Sequence, residues 1–236
     1  PTSHSCVLWT RVPTAFQRND QIVTVHLQVA TNAIFSQDAM IHAVDVGTSA
    51  EWDFTVAQRA TGLLPFTEYF YRFTTAEGYV SDIGRAKTLP AEDAVTQNVK
   101  LAVVCCQKLS AGYYTAYADL ATRDVDFCIH LGDHIYESDG ENVRPGDPLD
   151  GREAQTHADY RAKHRAYLLD PHYRRVRSQV TFIHLWDDHE VYNDYTSRDV
   201  RENSQRVNDA RRAFFEYHPF ERAAVHGETY RTFALG

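Results

Sequence analysis

The sequence contains little cysteine and no long hydrophobic segment. Four of its 236 residues are cysteine, and their irregular spacing is not that of a disulfide framework. No run approaches the roughly 18 apolar residues of a membrane-spanning helix, so no transmembrane segment is expected. The first residues lack a basic stretch followed by an apolar one, so the protein is either cytosolic or exported with a signal that has been removed or is not included. A hydrophobic content of 43% and a charged content of 24% are typical of a globular protein.

Acidic residues outnumber basic residues, and the common nucleotide-binding motifs are absent from the sequence. The chain has 24 Lys and Arg against 32 Asp and Glu, which gives a net charge of −8. A surface of that sign repels a polyphosphate backbone, so no nucleic-acid partner is expected. The sequence has no G-x-x-x-x-G-K-[ST] loop, no G-x-G-x-x-G loop and no G-x-S-x-G elbow. Phosphate-loop nucleotide binding and serine hydrolysis therefore have no support.

Residues 1–90 have the alternating hydrophobic pattern of short β-strands, and no helical pattern interrupts them. The expected strands are Cys6–Val12, Ile22–Ala30, Trp52–Arg59, Glu68–Thr75 and Arg85–Leu89. Turn-rich segments separate these strands, which predicts an all-β sandwich of the fibronectin III or Ig-like kind. A tyrosine in Leu64–Tyr71 is expected to bond its hydroxyl back to the preceding corner, as a structural feature of the sandwich.

Residues 91–99 are predicted to be a linker, and residues 100–236 to be an α/β domain. The expected strands are Lys100–Cys106, Val125–Leu131 and Gln179–Trp186, and the expected helices are Tyr113–Thr122, Gln155–Leu169 and Asp199–Tyr217. Strand, helix and strand within some thirty residues is the order that a parallel crossover requires. The arginines of this part, Arg161, Arg165, Arg174 and Arg175, are expected to face solvent.

Polar and ionisable side chains follow each of the three predicted parallel strands. They lie in Cys105–Gln107, Gly132–Glu137 and Asp187–Asp194. Taken singly, two cysteines at a strand end are more often buried apolar residues, and Gly-Asp-His is an ordinary turn. The four adjacent ionisable groups Asp187–Glu190 cost desolvation energy unless a cation or solvent compensates them. Since the carboxyl ends of parallel strands meet at one crevice, the three segments together predict a metal centre.

The donor types narrow the choice of metal. Carboxylate, phenol, amide and imidazole groups suit iron, manganese, calcium or magnesium, whereas the paired Cys and His spacings of structural zinc are absent. A tyrosine, with an ordinary pKa of about 10, ligates at neutral pH only beside a strongly acidic cation such as ferric iron. Asp133 and Tyr136 lie on one turn and could hold the same ion, and a carboxylate can bridge two metals.

Several segments of the chain carry a family resemblance. They are Leu8–Arg11, Leu64–Tyr71, Cys106–Gln107, Gly112–Tyr114, His130–Glu137 and Trp186–Val191. Together they resemble the PhoD family of alkaline phosphatases and phosphodiesterases, calcineurin-like metallophosphatases preceded by a small β-sandwich domain. The resemblance covers essentially the whole chain. It implies hydrolysis of phosphate mono- or diesters by metal-activated water, iron (Fe³⁺) and calcium (Ca²⁺) as cofactors, and a secreted, periplasmic or cell-surface location.

The resemblance also implies a role for individual residues. The implied metal ligands are Cys106, Asp133, Tyr136, Asp188 and Asn193. Cys106, Asp133 and Tyr136 would hold iron, with Asp133 also bridging, while Asp188 and Asn193 would reach calcium. The implied catalytic residues are Asp133 and His189, and His189 would lie near the leaving group. Cys106 is preferred to Cys105 as the ligand because it directly precedes Gln107.

Two questions stay open at this point. Family members continue well beyond residue 236, so the sequence is expected to be a fragment that lacks the remaining histidine and aspartate ligands. The alternative to a phosphoesterase is a non-catalytic extracellular binding module that a metal stabilises. Hydrolysis of a chromogenic phosphate ester, abolished by a chelator, would separate the two. Residues 139–152 are predicted to form a long loop that sets access to the crevice.

Overall fold

A computed structural model of the chain describes residues 1–17, 21–95, 98–138, 140, 143–222 and 232–235. Within these residues the strands are β1 Ser5–Arg11, β2 Val23–Ala30, β3 Met40–Thr48, β4 Thr55–Thr61, β5 Glu68–Thr75, β6 Gly84–Lys87, β7 Leu101–Val104, β8 Phe127–His130 and β9 Thr181–His184. The helices are α1 Thr115–Leu120, α2 His157–Leu168, α3 Pro171–Gln179, α4 Ser197–Glu202 and α5 Ser204–Tyr217.

Strands β1 to β6 form two antiparallel sheets. One contains β1 and β4, and the other has the order β3-β2-β5-β6. Both sheets contribute to one hydrophobic core, with Leu8 and Val56 from the first and Leu27 and Phe73 from the second. The side chains of a strand alternate between its two faces, so this shared core explains the period-two pattern of the sequence. The prediction of an antiparallel β-structure ahead of the α/β part is confirmed.

Two details of this part differ from the prediction, and one agrees. Strand β3 was not predicted, because its residues alternate only between half-buried and exposed until Thr48 and so give a weak hydrophobic pattern. The strand expected from Trp52 begins at Thr55, since Asp53 has a left-handed conformation. The predicted tyrosine is Tyr69, whose hydroxyl accepts a hydrogen bond from the Leu64 amide at 2.8 Å.

Strands β7, β8 and β9 form a parallel sheet in that order. Val104 lies opposite His130, and His130 lies opposite His184, so the three strands end at the same level. Helices α1, α2, α3 and α5 supply buried side chains to the core beside this sheet. The predicted α/β character of this part is confirmed.

The helices contain two departures from the prediction. Helix α3 was not predicted, although Asp170 begins it as a standard N-cap, with its carboxylate accepting from the amides of His172 and Tyr173. The single helix expected to begin near residue 199 is two helices, because Asn203 leaves the helical conformation between α4 and α5.

Charged side chains join the antiparallel strands to the helices. Asp53 accepts hydrogen bonds from Arg11 at 3.0 and 3.1 Å and from Arg165 at 2.8 Å. Arg161 pairs with the buried Glu216 at 2.7 Å. The expectation that Arg161 faces solvent is therefore wrong, since only 15% of its side chain is exposed. Burying an arginine is tolerated here because a carboxylate pairs with it.

Some predicted features fall partly outside the described residues. These are residues 96 and 97 of the predicted linker and residues 139, 141 and 142 of the predicted access loop. In the part of the chain that the structure describes, no helix has the length and apolar character needed to cross a membrane.

Candidate metal centre

The three segments that follow the parallel strands lie side by side. The amide of Cys106 donates to the Gly132 carbonyl at 3.3 Å, and the amide of Gln107 donates to the Asp133 carbonyl at 3.2 Å. These bonds extend the pairing of β7 with β8 beyond the strand ends. They bring the first predicted ligand, Cys106, next to the second, Asp133.

Both of these residues have an unusual backbone conformation. The φ angles are 55° at Cys106 and 58° at Asp133, in the left-handed region that residues with a side chain rarely adopt. Each such residue costs roughly 1–2 kcal/mol, which the surrounding contacts must offset. Strain of this kind is concentrated at functional sites, and here it falls on two predicted metal ligands.

Gly132 allows the third segment to approach the second. Its φ is 126°, and a Cβ built on it would lie 2.5 Å from the backbone nitrogen and the Cβ of Asp187. Any side chain at residue 132 would therefore push the Asp187 segment away from Asp133. Glycine is needed here for close backbone approach as well as for its conformation.

The carboxylate of Asp133 is buried and only partly hydrogen-bonded. The residue is 5% exposed, and its Oδ2 accepts a hydrogen bond from the hydroxyl of Tyr136 at 3.1 Å. Its Oδ1 is buried and has no hydrogen-bond partner among the described residues. A buried carboxylate oxygen without a partner is costly, and a cation is the partner that best suits it.

Cys106 and Tyr136 share the surroundings of this carboxylate. Desolvation, hydrogen bonds with Cys105 and Asp133, and the negative charge nearby raise the pKa of the Cys106 thiol to about 12. Burial and the charge of Asp133 likewise raise the pKa of Tyr136 well above its ordinary value. Without a cation both groups keep their protons, whereas a bound metal ion would favour the thiolate and the phenolate.

Asp188 and His189 face Asp133 from the third segment. One ligand atom from each of the three side chains can be chosen so that all lie within 4.8 Å of one another. Partial desolvation, followed by the charges of Asp133 and Asp188, raises the pKa of Asp187. Several carboxylates thus repel one another at this place, and a metal ion would relieve that repulsion.

Glu137 orients the imidazole of His189. Its Oε2 lies 2.7 Å from His189 Nδ1, and its Oε1 accepts the amide of Asn193 at 3.2 Å. The ring of Tyr136 covers the imidazole, with 4.0 Å between ring centroids. Because the Glu137 carboxylate accepts from Nδ1, the other ring nitrogen, Nε2, is the atom that His189 presents to a substrate or an ion.

Glu190 holds the second and third segments together. It is fully buried, and its two carboxylate oxygens accept from the amides of His134 at 2.5 Å and Asp187 at 2.8 Å. Burial raises its pKa to about 8. Its backbone hydrogen bonds show a positioning role, since both partners belong to segments that carry predicted ligands.

The structure brings together most of the residues singled out in the sequence. Cys106, Asp133, Tyr136, Asp188 and His189 surround one place at the carboxyl end of the sheet. Asn193 is exposed and connects to this group through Glu137.

Sequence reasoning gave no role to Glu137 or Glu190. The signal was present, because each glutamate directly follows a predicted site residue in a motif that was already recognised. What the sequence does not show is that their carboxylates turn toward the backbone and the imidazole.

The donor set fits a metal centre. A buried carboxylate oxygen without a partner, a thiol, a phenol, a second carboxylate and an imidazole converge within one crevice. Such a mixture of oxygen, nitrogen and sulfur donors suits iron, and the oxygen donors suit a hard cation beside it.

Both parts of the chain match one protein family. The sequence profile of the PhoD-like phosphatase family matches residues 101–236, and the profile of the PhoD-like phosphatase N-terminal domain matches residues 1–90. The chain belongs to this family, and the resemblance stated from its motifs is confirmed.

Two relatives are similar along essentially the whole chain. Alkaline phosphatase D of Bacillus subtilis (strain 168) is 32% identical over 268 aligned positions, which cover 100% of this chain and 43% of the relative. A solved structure, "Structure of PhoD", superposes with a TM-score of 0.85 at 32% identity and covers 95% of this chain and 45% of that one. The chain thus spans less than half the length of the relatives that it matches.

Proposed function

We propose that this chain is part of a metal-dependent phosphoric ester hydrolase, which hydrolyses phosphate mono- or diesters by metal-activated water. The observation that carries the proposal is the buried Oδ1 of Asp133, which has no partner in the described part of the chain and is surrounded by further metal-ligating side chains. Membership of the PhoD-like phosphatase family supports the same reaction class.

We further propose how the ligands are shared. Cys106, Asp133 and Tyr136 would hold Fe³⁺, since a thiolate and a phenolate both need a strongly acidic cation to lose their protons near neutral pH. Asp188 and Asn193 would reach Ca²⁺, which prefers carboxylate and amide oxygens. Asp133 would be shared between the ions, as the family resemblance implies, since a carboxylate has two oxygens that can each bind a metal.

When bound, the ions would neutralise charge on the phosphoryl oxygens and lower the pKa of a water molecule that attacks phosphorus. Residues of this chain would position the substrate and supply the proton. Glu137 accepts from His189 Nδ1, so His189 directs Nε2 toward the substrate. In its imidazolium form, with Nδ1–H still bonded to Glu137, it would donate a hydrogen bond from Nε2 to a phosphoryl oxygen or a proton to the leaving alkoxide. Asp133 would contribute to catalysis by holding the bound metal ions in place.

Several wider features belong to the same proposal. The division into a sandwich domain at 1–90, a linker at 91–99 and a metallophosphatase domain at 100–236 follows the change in sequence pattern. The fibronectin III or Ig-like type of the sandwich is supported by the shared core of the two antiparallel sheets and by the Tyr69 corner. A secreted, periplasmic or cell-surface location and a phosphate-ester substrate follow from the resemblance.

The test combines metal content with turnover. The protein is loaded with iron and calcium and assayed with p-nitrophenyl phosphate and with its bis ester, with and without a chelator. Asp133→Asn removes the bridging charge, so bound iron and hydrolysis should fall together, with turnover lowered at least about a hundredfold. Asp124→Asn is the matched control, since that side chain is 89% exposed.

The outcomes separate the hypotheses. Turnover and iron content that survive in Asp133→Asn would contradict the proposal. Metal binding that depends on Asp133 but brings no turnover in the intact protein would favour the metal-stabilised binding module. Chelator-sensitive turnover that only the control variant retains would support the phosphoesterase.

A further inference from the structure

A second group of metal-ligating side chains lies away from the centre described above. It consists of imidazoles in a buried layer beside the parallel sheet, and among the described residues no carboxylate belongs to it. The histidines of this layer are His130, His134, His164, His184 and His218. Each is 3% exposed or less. Burying several polar rings in one core is costly unless their nitrogens find partners, so the layer calls for an explanation.

Three of these rings converge. The side chains of His134, His184 and His218 offer ligand atoms that all lie within 4.8 Å of one another. Their ring centroids are separated by 4.4, 4.6 and 5.0 Å. Nitrogens bound to one tetrahedral zinc ion at about 2.05 Å lie roughly 3.3 Å apart, so small ring rotations would complete the site.

Backbone carbonyls orient two of the three rings. His134 Nε2 donates to the carbonyl of Leu185 at 2.9 Å, and His218 Nδ1 donates to the carbonyl of Phe214 at 2.8 Å. The carbonyls can only accept, so the opposite nitrogens, Nδ1 of His134 and Nε2 of His218, carry lone pairs. Metal-ligating histidines have this arrangement, with the distal N–H bonded to a carbonyl or carboxylate.

One of those lone pairs has nothing to bind. His134 Nδ1 is buried and lacks a hydrogen-bond partner among the described residues. His164 Nε2 is buried in the same way, and its ring lies 5.4 Å from that of His218. His130 Nε2 also lacks a partner among the described residues, and its ring stacks on that of His134 with 3.6 Å between centroids, so His130 or His164 would supply a fourth nitrogen. A metal ion would satisfy these groups, whereas the packed aromatic rings of Phe182 and Phe214 cannot.

The group can be reached without passing the first metal centre. A cavity of about 890 Å³ lies between the antiparallel strands and the helices, and His184 is part of its lining together with Trp9 and Arg177. Asp133 and His134 are consecutive residues, yet Asp133 joins the first group and His134 the second. The loop after β8 therefore contributes side chains to both groups.

We propose that His134, His184 and His218 form a second, structural metal site that takes one borderline transition-metal ion, with Zn²⁺ the best fit. Three imidazoles without a carboxylate disfavour Ca²⁺ and Mg²⁺ and favour zinc, copper or nickel. The ion would join the loop after β8, the end of β9 and the residue that follows α5. Because the three rings are buried and belong to separate elements, the effect of the ion is on stability and on the placement of the Asp133 loop.

The test uses protein in which the first centre is disabled by Asp133→Asn and Cys106→Ser. The metal-free protein is titrated with Co²⁺, whose visible absorption is strong in tetrahedral sites, and with Zn²⁺ while the thermal midpoint is followed. One Co²⁺ per chain with a tetrahedral spectrum and a Zn²⁺-dependent rise in the midpoint are expected. His184→Phe should remove both signals, while His26→Phe, on a ring that is 40% exposed, should keep them.

The proposal can fail in a clear way. A folded background protein that gives no tetrahedral Co²⁺ spectrum and no Zn²⁺-dependent shift would overturn it, and the layer would then be a packed core of neutral histidines. Equal metal binding by the His184→Phe and His26→Phe variants would overturn it too. Should His184→Phe fail to fold, His218→Gln provides the same comparison. None of these outcomes depends on phosphate-ester hydrolysis, so this inference and the proposed function are tested separately.

Discussion

At the scale of single residues, the buried carboxylate of Asp133 is the centre of the candidate metal site. One oxygen of its carboxylate is held by Tyr136, and the other is buried without a partner in the described part of the chain. The groups around it, Cys106 and Tyr136, have raised pKa values because of desolvation and this nearby negative charge. A bound cation would give the carboxylate oxygen a partner and lower both pKa values, since it stabilises carboxylate, thiolate and phenolate at once.

Tyr136 provides a spectroscopic prediction. If it ligates ferric iron, the iron-loaded protein has a phenolate-to-metal charge-transfer band, and resonance Raman excitation in that band enhances tyrosinate ring vibrations. The Raman readout is needed because a Cys106 thiolate would give a band of its own. Tyr136→Phe should lose the ring vibrations while bound iron is still detectable, and Tyr113→Phe, at a residue that is 66% exposed, should keep them. Unchanged ring vibrations in Tyr136→Phe would remove Tyr136 from the site.

Which residues gather at the site could be predicted from the sequence, but their orientation could not. The position of Asp133 directly after an apolar strand was sufficient to place it at the sheet edge. The contact of Glu137 with His189 crosses 52 positions of sequence and depends on how two loops fold. Local patterns carry no information on such a contact, so the orienting carboxylate was recognised only in the structure.

At the scale of elements, the site depends on how closely the loops after β8 and β9 approach. Gly132 permits that approach, because a Cβ there would clash with the Asp187 backbone. Glu190 joins the two loops by accepting hydrogen bonds from the amides of His134 and Asp187. The loops after β8 and β9 are therefore held together by one small residue and one buried carboxylate, neither of which is a proposed ligand.

Gly132→Ala tests this arrangement. The positive φ costs about 1 kcal/mol for alanine, and the clash with the Asp187 backbone adds about 2 kcal/mol, so a loss of about 3 kcal/mol is expected. In a chain of this size that lowers the thermal midpoint by roughly 6–12 °C. Gly151→Ala is the control, since Gly151 has a φ of 80° but open space around it, and should cost only the conformational part. Equal midpoints for the two variants would contradict the close-approach argument.

Strands and helices with a strong periodic pattern were predictable, and those with a weak one were not. Strand β8 and helix α2 lie within their predicted ranges. Strand β8 contains a continuous apolar run, and the buried residues of α2, which include Tyr160, His164 and Tyr167, recur at the helix period. Strand β3 lies at a sheet edge and buries little, so its pattern is faint. Helix α3 is signalled by its cap rather than by a run of apolar residues, and the break at Asn203 has no local marker as strong as proline.

At the scale of the whole molecule, a charged junction joins the antiparallel strands to helices α2 and α5. Asp53 receives hydrogen bonds from Arg11, Arg165 and the hydroxyl of Tyr217. Trp9 donates to the Glu216 carbonyl at 2.8 Å. The motif Leu8–Arg11, which helped to identify the family, therefore acts at this junction rather than in chemistry. Long-range ion pairs of this kind leave no periodic pattern in a sequence.

The junction predicts a dependence of stability on pH. Burial alone would raise the pKa of Asp53, but hydrogen bonds from Arg11, Tyr217 and Arg165 lower it overall. The folded-state pKa therefore lies below the unfolded value of about 3.9, so this stabilisation is complete above about pH 4 and is lost as the pH falls below it.

Asp53→Asn should cost about 3 kcal/mol at pH 7, because two arginines lose their charge partner, and its stability should fall less steeply than that of the natural chain below pH 4. Chemical denaturation at several pH values measures both effects. Asp45→Asn, on a side chain that is 68% exposed, should change little. A loss no larger than in that control would mean that the Asp53 pairs contribute nothing net.

The most direct test of the account is the position of the iron atom. Crystals of the protein grown with iron and calcium would be measured by anomalous diffraction on both sides of the iron absorption edge. We expect an iron peak within bonding distance of Cys106 Sγ, Tyr136 Oη and the Asp133 carboxylate. An iron peak elsewhere, with those three side chains bound to no ion, would contradict it.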